Sequence, residues 1–124
     1  MRNKIKSIID NLFYTVERKD LAQHAIAICA NPHTKANILL NYASFHNPKV
    51  IDALLNNLNT PSKALDIISK KQDYRYALAV LKHINVTQEI VQFLQNHENQ
   101  HVREKALLTL QKIIYQRDVE ARFI

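Results

Sequence analysis

Two histidines and a glutamate stand in the spacing used by zinc proteases, in the run His97-Glu98-Asn99-Gln100-His101. In those enzymes the pattern H-E-x-x-H lies within one helix, where both imidazoles face the metal and the glutamate acts as general base. Glu120 lies 19 residues beyond His101 and supplies a candidate third ligand. A zinc-dependent hydrolase is therefore the one enzymatic hypothesis that the residues suggest.

The rest of the composition argues against catalysis. The chain has no glycine, which excludes glycine-rich phosphate loops, dinucleotide fingerprints and nucleophile elbows. Its single cysteine, Cys29, excludes an internal disulfide and a multi-thiolate metal site, and we expect it in the core. The other histidines have no ligand spacing and are expected at the surface or at junctions: His24, His33, His46 and His83. We predict a protein that is not an enzyme, with no catalytic residue, metal ligand or cofactor.

The elements that carry these residues follow from a sequence repeat of 26 residues without gaps. Its blocks span 20–45, 46–71 and 72–97, and a fourth block, 98–124, stays in phase only in its first half. Apolar residues coincide in columns: Ile28, Leu54, Val80 and Ala106; Cys29, Leu55, Leu81 and Leu107; Leu39, Leu65 and Val91; Tyr42, Ile68 and Leu94. Such a period is typical of stacked units that bury their apolar faces against one another.

Each block predicts two short helices. In block 46–71, Asn47 caps the first helix and Pro48 begins it, and the second begins at Thr60-Pro61 and runs into Ser69. The expected buried residues are Val50, Ile51, Leu54 and Leu55 on the first helix, and Ala64, Leu65, Ile67 and Ile68 on the second. In block 20–45, Asn31-Pro32 breaks between the two helices and Thr34 caps the second. In block 72–97, Asp73 caps the first helix and Val86-Thr87 opens the second. In this register His97 ends one helix and His101 begins the next, so their imidazoles should not share a helix face.

The two ends of the chain are expected to cover the stack. Residues 1–19 predict an N-terminal capping helix, and the alternative is a helix lying on a membrane surface. Residues 98–124 predict a C-terminal capping repeat with Val102, Ala106, Leu107, Leu110, Ile113 and Ile114 in its helix. The apolar tail 119–124 either folds back over the end or docks a second copy, which predicts a monomer or a homodimer through the C-terminal end. Without glycine, Asn and His at the junctions are expected to take the left-handed conformation.

The motifs of the first two blocks resemble those of the leucine-rich repeat variant family, whose units share D-P-x-V, then N-P-x-T-P and two spaced leucines. The matching residues are Asn47-Pro48-Lys49-Val50, Asn57, Thr60-Pro61, Leu65 and Ile68, with Asn31-Pro32-His33-Thr34, Leu39 and Tyr42. The unit here is longer, and Leu58 replaces the second proline. The resemblance implies a right-handed superhelix whose second helices are α or 3₁₀, with no general catalytic function. The fold expected is therefore all-α: one HEAT-like α-solenoid domain of about 3.5 tandem repeats over 1–124.

Charge and hydropathy bear on location and partners. The net charge is +6, which suits an acidic protein or nucleic acid, although the cations are interspersed with acids. No apolar run is long enough for a membrane span, and no secretory signal is recognised. We therefore expect a cytoplasmic protein. The abundance of Ile, Asn and Lys further suggests a bacterial, AT-rich source.

One column of polar residues is a candidate binding surface. Gln23, Lys49, Arg75 and His101 occupy equivalent positions early in the first helices, with Tyr74 beside Arg75. Tyr and Arg dominate the energetics of protein interfaces, so we predict a protein-binding scaffold that uses Lys49, Tyr74, Arg75 and His101. The alternatives are an ordinary solvated face and a nucleic-acid phosphate site. A second polar set, Asn31, His33, Asn57, Asn59, His83 and Asn85, is expected to form turns and satisfy backbone groups.

Overall fold

The computed structural model describes residues 21–122, and every regular element in that range is an α-helix. Helix α1 covers 21–30, and the others are α2 (Ala36–Tyr42), α3 (Pro48–Asn56), α4 (Ser62–Ser69), α5 (Tyr74–Lys82), α6 (Gln88–Leu94) and α7 (Gln100–Arg122). The all-α prediction is confirmed for this range, and the second helices α2, α4 and α6 are α-helical rather than 3₁₀. The predicted capping helix over 1–19 lies outside the described residues.

Three of the predicted helix starts have the expected side-chain caps. The Asn47 Oδ1 accepts a hydrogen bond from the Lys49 N–H at 2.9 Å, and Pro48 is the first residue of α3. The Asp73 Oδ1 accepts from the Arg75 N–H at 2.9 Å at the start of α5. Thr87 caps α6 through the Ile90 N–H. These caps occupy N–H groups that the first helical turn leaves without intrahelical partners.

Thr34 does not cap α2, and its equivalent Thr60 is likewise not a cap for α4. Each hydroxyl instead donates back to the preceding helix, at 2.6 Å from Thr34 Oγ1 to the Ile28 carbonyl and from Thr60 Oγ1 to the Leu54 carbonyl. The capping positions fall one residue later and have no side-chain cap. The last carbonyls of the preceding helix and the first N–H groups of the following helix both lack intrahelical partners, so both can bond the threonine hydroxyl. Here the carbonyls are the partners.

The expectation that Asn and His end the helices in the left-handed conformation is wrong. Among the described residues, only Gln72 has a positive φ, of 60°. Asn and His act through their side chains, each accepting from the backbone N–H two residues on. The pairs are Asn31 Oδ1 with His33, Asn57 Oδ1 with Asn59, and His83 Nδ1 with Asn85.

The helices pack in two rows. Helices α3, α5 and α7 contact one another in sequence, and so do α2, α4 and α6, while contacts such as α4 with α5 join the rows. Most residues of the aligned apolar columns lie in the core, and Leu54, Leu65 and Val80 are fully buried in a single cluster. Cys29 is also fully buried, as predicted.

Polar side chains at the turns within the blocks reach across to the preceding block. The Asn57 Nδ2 donates to the carbonyls of Cys29 at 2.8 Å and Asn31 at 3.0 Å. One block later, the His83 Nε2 lies 2.8 Å from the Asn57 carbonyl. Equivalent bonds join Asn59 to Pro32 and Thr34, and Asn85 to Leu58 and Thr60. The prediction that these residues satisfy backbone groups at turns is confirmed for the side chains of Asn31, Asn57, Asn59, His83 and Asn85.

Several residues predicted in the core are exposed. Ile67 of α4 is exposed, and α7 buries Val102 and Ala106 but exposes Leu107 and Ile114. Helix α7 also continues unbroken to Arg122, so its described last turn does not fold back over the stack. No helix within 21–122 combines the length and apolarity needed to cross a membrane.

Candidate functional site

The H-E-x-x-H motif spans a junction, as predicted, and its histidines are separated by a helix start. His97 follows α6, whereas His101 lies in the first turn of α7. The His97 Nδ1 accepts from the Asn99 N–H at 3.0 Å, so that nitrogen is occupied by the turn. The Arg103 Nη1 donates to the carbonyls of His97 and Glu98 at 2.8 and 2.7 Å and holds the junction against α7.

Glu120 is too far away to complete a metal site. It lies on the same unbroken helix as His101, and 19 residues of α-helix correspond to a rise of about 28 Å. Within 21–122, no group of three or more His, Cys, Asp or Glu side chains is arranged to hold a metal ion. The geometry that zinc proteases need is therefore missing from this motif.

The predicted polar column is brought together by three neighbouring helix starts. Lys49, Arg75 and His101 are exposed in the first turns of α3, α5 and α7, and α5 contacts both of the other helices. The backbone N–H of each is held by the side chain two residues earlier at 2.9 Å: by Asn47, Asp73 and Asn99. We call Lys49, Tyr74, Arg75 and His101 the basic edge. Gln23, the fourth residue of the column, is exposed on α1.

Tyr74 supplies an aromatic surface in the middle of the basic edge. Its side chain is 48% exposed, and the Arg75 guanidinium carbon lies 5.8 Å from its ring centroid. That distance is within the range of a cation–π contact, which orients the guanidinium over the ring. Among the described residues, the only ion pair joins Lys70 to Asp66 at 3.1 Å. Lys49 and Arg75 therefore have no carboxylate partner within that range.

A crevice of about 260 Å³, which the sequence did not predict, adjoins the basic edge between α3 and α5. Its lining is Phe45, His46, Ile51, Lys71, Asp73 and Tyr76. The Lys71 Nζ donates to the Phe45 carbonyl at 2.9 Å, and burial lowers the Lys71 pKa. Burial raises the Tyr76 pKa, the Asp52 and Asp73 carboxylates add to this, and Arg75 opposes it. Phe45 and Lys71 are 26 residues apart, so the sequence repeat places them at equivalent positions in adjacent blocks. This was the signal in the sequence that could have indicated their contact.

A second crevice, of about 220 Å³, lies one block further along, between the ends of α4 and α6. Lys70, Phe93, His97 and Glu98 are among its lining residues. The Lys70 Nζ lies 5.9 Å from the Phe93 ring centroid and pairs with the Asp66 carboxylate. Its lysine is thus already paired within the protein, unlike the cations of the basic edge.

Comparison with known proteins gives no relative from which a function could be transferred. No family model matches the chain, and the searches of curated proteins and of solved structures found no match. The function has to be argued from the basic edge and its surroundings.

Proposed function

We propose that this chain is a non-enzymatic helical-repeat module that binds another protein through the basic edge. In this proposal the fold is a right-handed α-solenoid of about 3.5 repeats of 26 residues, similar to the leucine-rich repeat variant family. The two rows of helices support it. So do the side-chain hydrogen bonds that recur one block apart, from Asn57 to Asn31 and from His83 to Asn57. Repeat stacks of this kind present broad surfaces to their partners.

The observation that carries the proposal is the alignment of Lys49, Arg75 and His101 on neighbouring helices. Helices packed side by side lie about 8–10 Å apart, so the three side chains form a row along one edge of the molecule. Each stands at a helix N-terminus, where the helix dipole adds a partial positive charge. The partner expected is therefore a protein segment with acidic side chains, anchored by Tyr74 and Arg75.

The test is a binding comparison between a variant of the basic edge and a matched control. Tyr74→Ala combined with Arg75→Glu should abolish recovery of the specific partner in an affinity pulldown analysed by mass spectrometry. Lys82→Glu reverses an exposed charge at the opposite end of the same helix, α5, and should leave recovery unchanged. Both variants alter exposed side chains but reverse a charge in the first or last turn of α5, so the free energy of unfolding measured with urea should shift by no more than about 1 kcal/mol. Full recovery by the double variant would contradict the proposal.

Nucleic-acid binding is the second candidate, favoured by the net charge of +6 together with the exposed cations Lys49 and Arg75. Fluorescence anisotropy with a labelled generic duplex and a labelled single strand distinguishes it. A phosphate-binding protein should bind at low salt and lose affinity steeply toward physiological salt. Absence of binding at low salt eliminates this candidate. Binding that is weakened by Arg75→Glu would replace the protein partner with a nucleic acid.

A further inference from the structure

The crevice between α3 and α5 lies among the cations of the basic edge, and we call it the α3–α5 crevice. Its two walls come from two stretches of chain: Phe45, His46 and Ile51 from the first, and Lys71, Asp73 and Tyr76 from the second. Lys49 belongs to the first stretch and Arg75 to the second, and both side chains are exposed. Each wall is therefore accompanied by one exposed cation.

The α3–α5 crevice suits a single apolar side chain. Its volume of about 260 Å³ is below the range of about 300–1,000 Å³ found for pockets that hold whole small molecules. Phe45, Ile51 and Tyr76 supply apolar and aromatic surface. The Phe45 side chain is 37% exposed, although its ring packs on Tyr42 with 5.0 Å between ring centroids. A concave site with an accessible aromatic wall is typical of pockets that receive an anchoring side chain of a partner.

The two charged groups that line the α3–α5 crevice already have hydrogen-bond partners within the protein. The Lys71 Nζ donates to the Phe45 carbonyl at 2.9 Å, and the Asp73 Oδ1 accepts from the Arg75 N–H at 2.9 Å. An apolar occupant leaves both hydrogen bonds intact. A cationic occupant is disfavoured, because Lys49, Lys71 and Arg75 carry the same charge.

We propose that the α3–α5 crevice receives one aromatic or large aliphatic side chain of the partner, from a segment with acidic residues on both sides of it. This inference rests on the proposed function and adds an apolar anchor to it. Acidic residues before and after the anchor come next to Lys49 on one side and Arg75 on the other, and neither cation pairs with a carboxylate among residues 21–122. An apolar centre within a polar rim is the common arrangement of protein interfaces.

Fluorescence anisotropy with labelled peptides tests the proposal on the unmodified chain. One peptide has a phenylalanine between two pairs of glutamates, and in two other peptides alanine or glutamate replaces the phenylalanine. At low salt the phenylalanine peptide should bind about tenfold more tightly than either of the others, as expected for a side chain that fills a pocket. Equal affinities, tighter binding of the all-glutamate peptide, or no binding of any peptide would overturn the proposal.

Two phenylalanines of the protein provide a variant and its control. Phe45→Ala removes the aromatic wall of the α3–α5 crevice and should reduce the preference for the phenylalanine peptide to about twofold or less. Phe93→Ala makes the same change at a residue that is 47% exposed and lines the crevice between α4 and α6, and it should leave the preference unchanged. Circular dichroism establishes that both variants are folded. Loss of the preference in both variants, or in neither, would reject the α3–α5 crevice as the site of the anchor.

Arg75→Glu separates a failure of this inference from a failure of the proposed function. Because Arg75 meets the acidic residues rather than the anchor, this variant should weaken all three peptides while the preference for phenylalanine over alanine persists. If Arg75→Glu weakens the peptides but phenylalanine gives no advantage on the unmodified chain, only the anchor is rejected. If Arg75→Glu leaves every affinity unchanged, the proposed function fails together with the anchor.

Discussion

The His83 Nε2 lies 2.8 Å from the carbonyl oxygen of Asn57, exactly one sequence period earlier. The other ring nitrogen, Nδ1, accepts from the Asn85 N–H, so the proton is on Nε2 and that nitrogen donates. Asn57 divides its roles in the same way: Oδ1 accepts from the Asn59 N–H, and Nδ2 donates to the preceding block. The histidine thus performs in one block what asparagine performs in another.

The first prediction follows from this equivalence. His83 is buried, at 7% exposure, so His83→Ala leaves the Asn57 carbonyl and the Asn85 N–H without their partner. The free energy of unfolding should fall by about 2 kcal/mol. His83→Asn restores both roles and should recover more than half of that loss. Urea unfolding followed by circular dichroism measures both values.

The control for His83 is His24→Ala, which removes an exposed imidazole from α1. It should change the free energy of unfolding by less than about 0.5 kcal/mol. If His83→Asn proves as unstable as His83→Ala, the hydrogen bonds of the imidazole are not what stabilises this turn.

The second prediction concerns stability at alkaline pH. Burial raises the pKa of the Cys29 thiol from 9.0 to about 11. Above pH 9 the unfolded thiol ionises while the folded one stays protonated, so ionisation favours unfolding. Stability should fall between pH 9 and 11, by up to about 2–3 kcal/mol from this group.

Other groups titrate in the same range, so the test for Cys29 is a difference between two proteins. Cys29→Ala will be less stable overall because it leaves a cavity. Its stability should nevertheless decline less between pH 9 and 11 than that of the unmodified chain, as followed by urea unfolding at each pH. Parallel profiles for the two proteins would show that the thiol does not contribute.

The third prediction concerns the left-handed backbone at Gln72. A positive φ destabilises the folded state by about 1 kcal/mol at a residue other than glycine. Glycine has no such penalty. Gln72→Gly should therefore raise the free energy of unfolding by about 0.5 kcal/mol, after the greater flexibility of the unfolded chain is counted. Thermal unfolding compared with the unmodified chain measures the change.

His46 and Glu98 are the matched controls for Gln72, because they occupy its position in the neighbouring blocks without a positive φ. His46→Gly and Glu98→Gly should each lower stability by about 0.5 kcal/mol. If all three glycine variants lost stability equally, the conformation at Gln72 would carry no strain.

The periodic part of the fold was predictable from the sequence because apolar columns have few physical interpretations. Leu39, Leu65 and Val91 share a column, and all three are fully buried. Side-chain hydrogen bonding was less predictable. A threonine between two helices can bond either to the last carbonyls of the preceding helix or to the first N–H groups of the following one, and both sets lack intrahelical partners. Thr34 therefore looked like a cap for α2, whereas its hydroxyl donates to the Ile28 carbonyl at the end of α1.

Exposure on α7 was missed because the column alignment does not tell whether a neighbouring helix exists. Leu107 is aligned with buried Leu81 but is 49% exposed, since the described chain has no helix on that side of α7. In the candidate site, the spacing located Lys49, Arg75 and His101 on one edge. It did not single out Lys71, whose partial burial depends on how α3 and α5 pack.

The side-chain hydrogen bonds between blocks have a consequence for how the molecule opens. Within 21–122, those made by the turns within the blocks join residues 25 to 28 positions apart, as from Asn85 to Thr60 or from Asn57 to Cys29, and none reaches past an adjacent block. Coupling between neighbours alone lets a terminal unit detach while the interior stays closed. Amide hydrogen exchange should then be fastest at the two extremities and slowest around Leu54 and Leu65, in a graded profile rather than a single global transition.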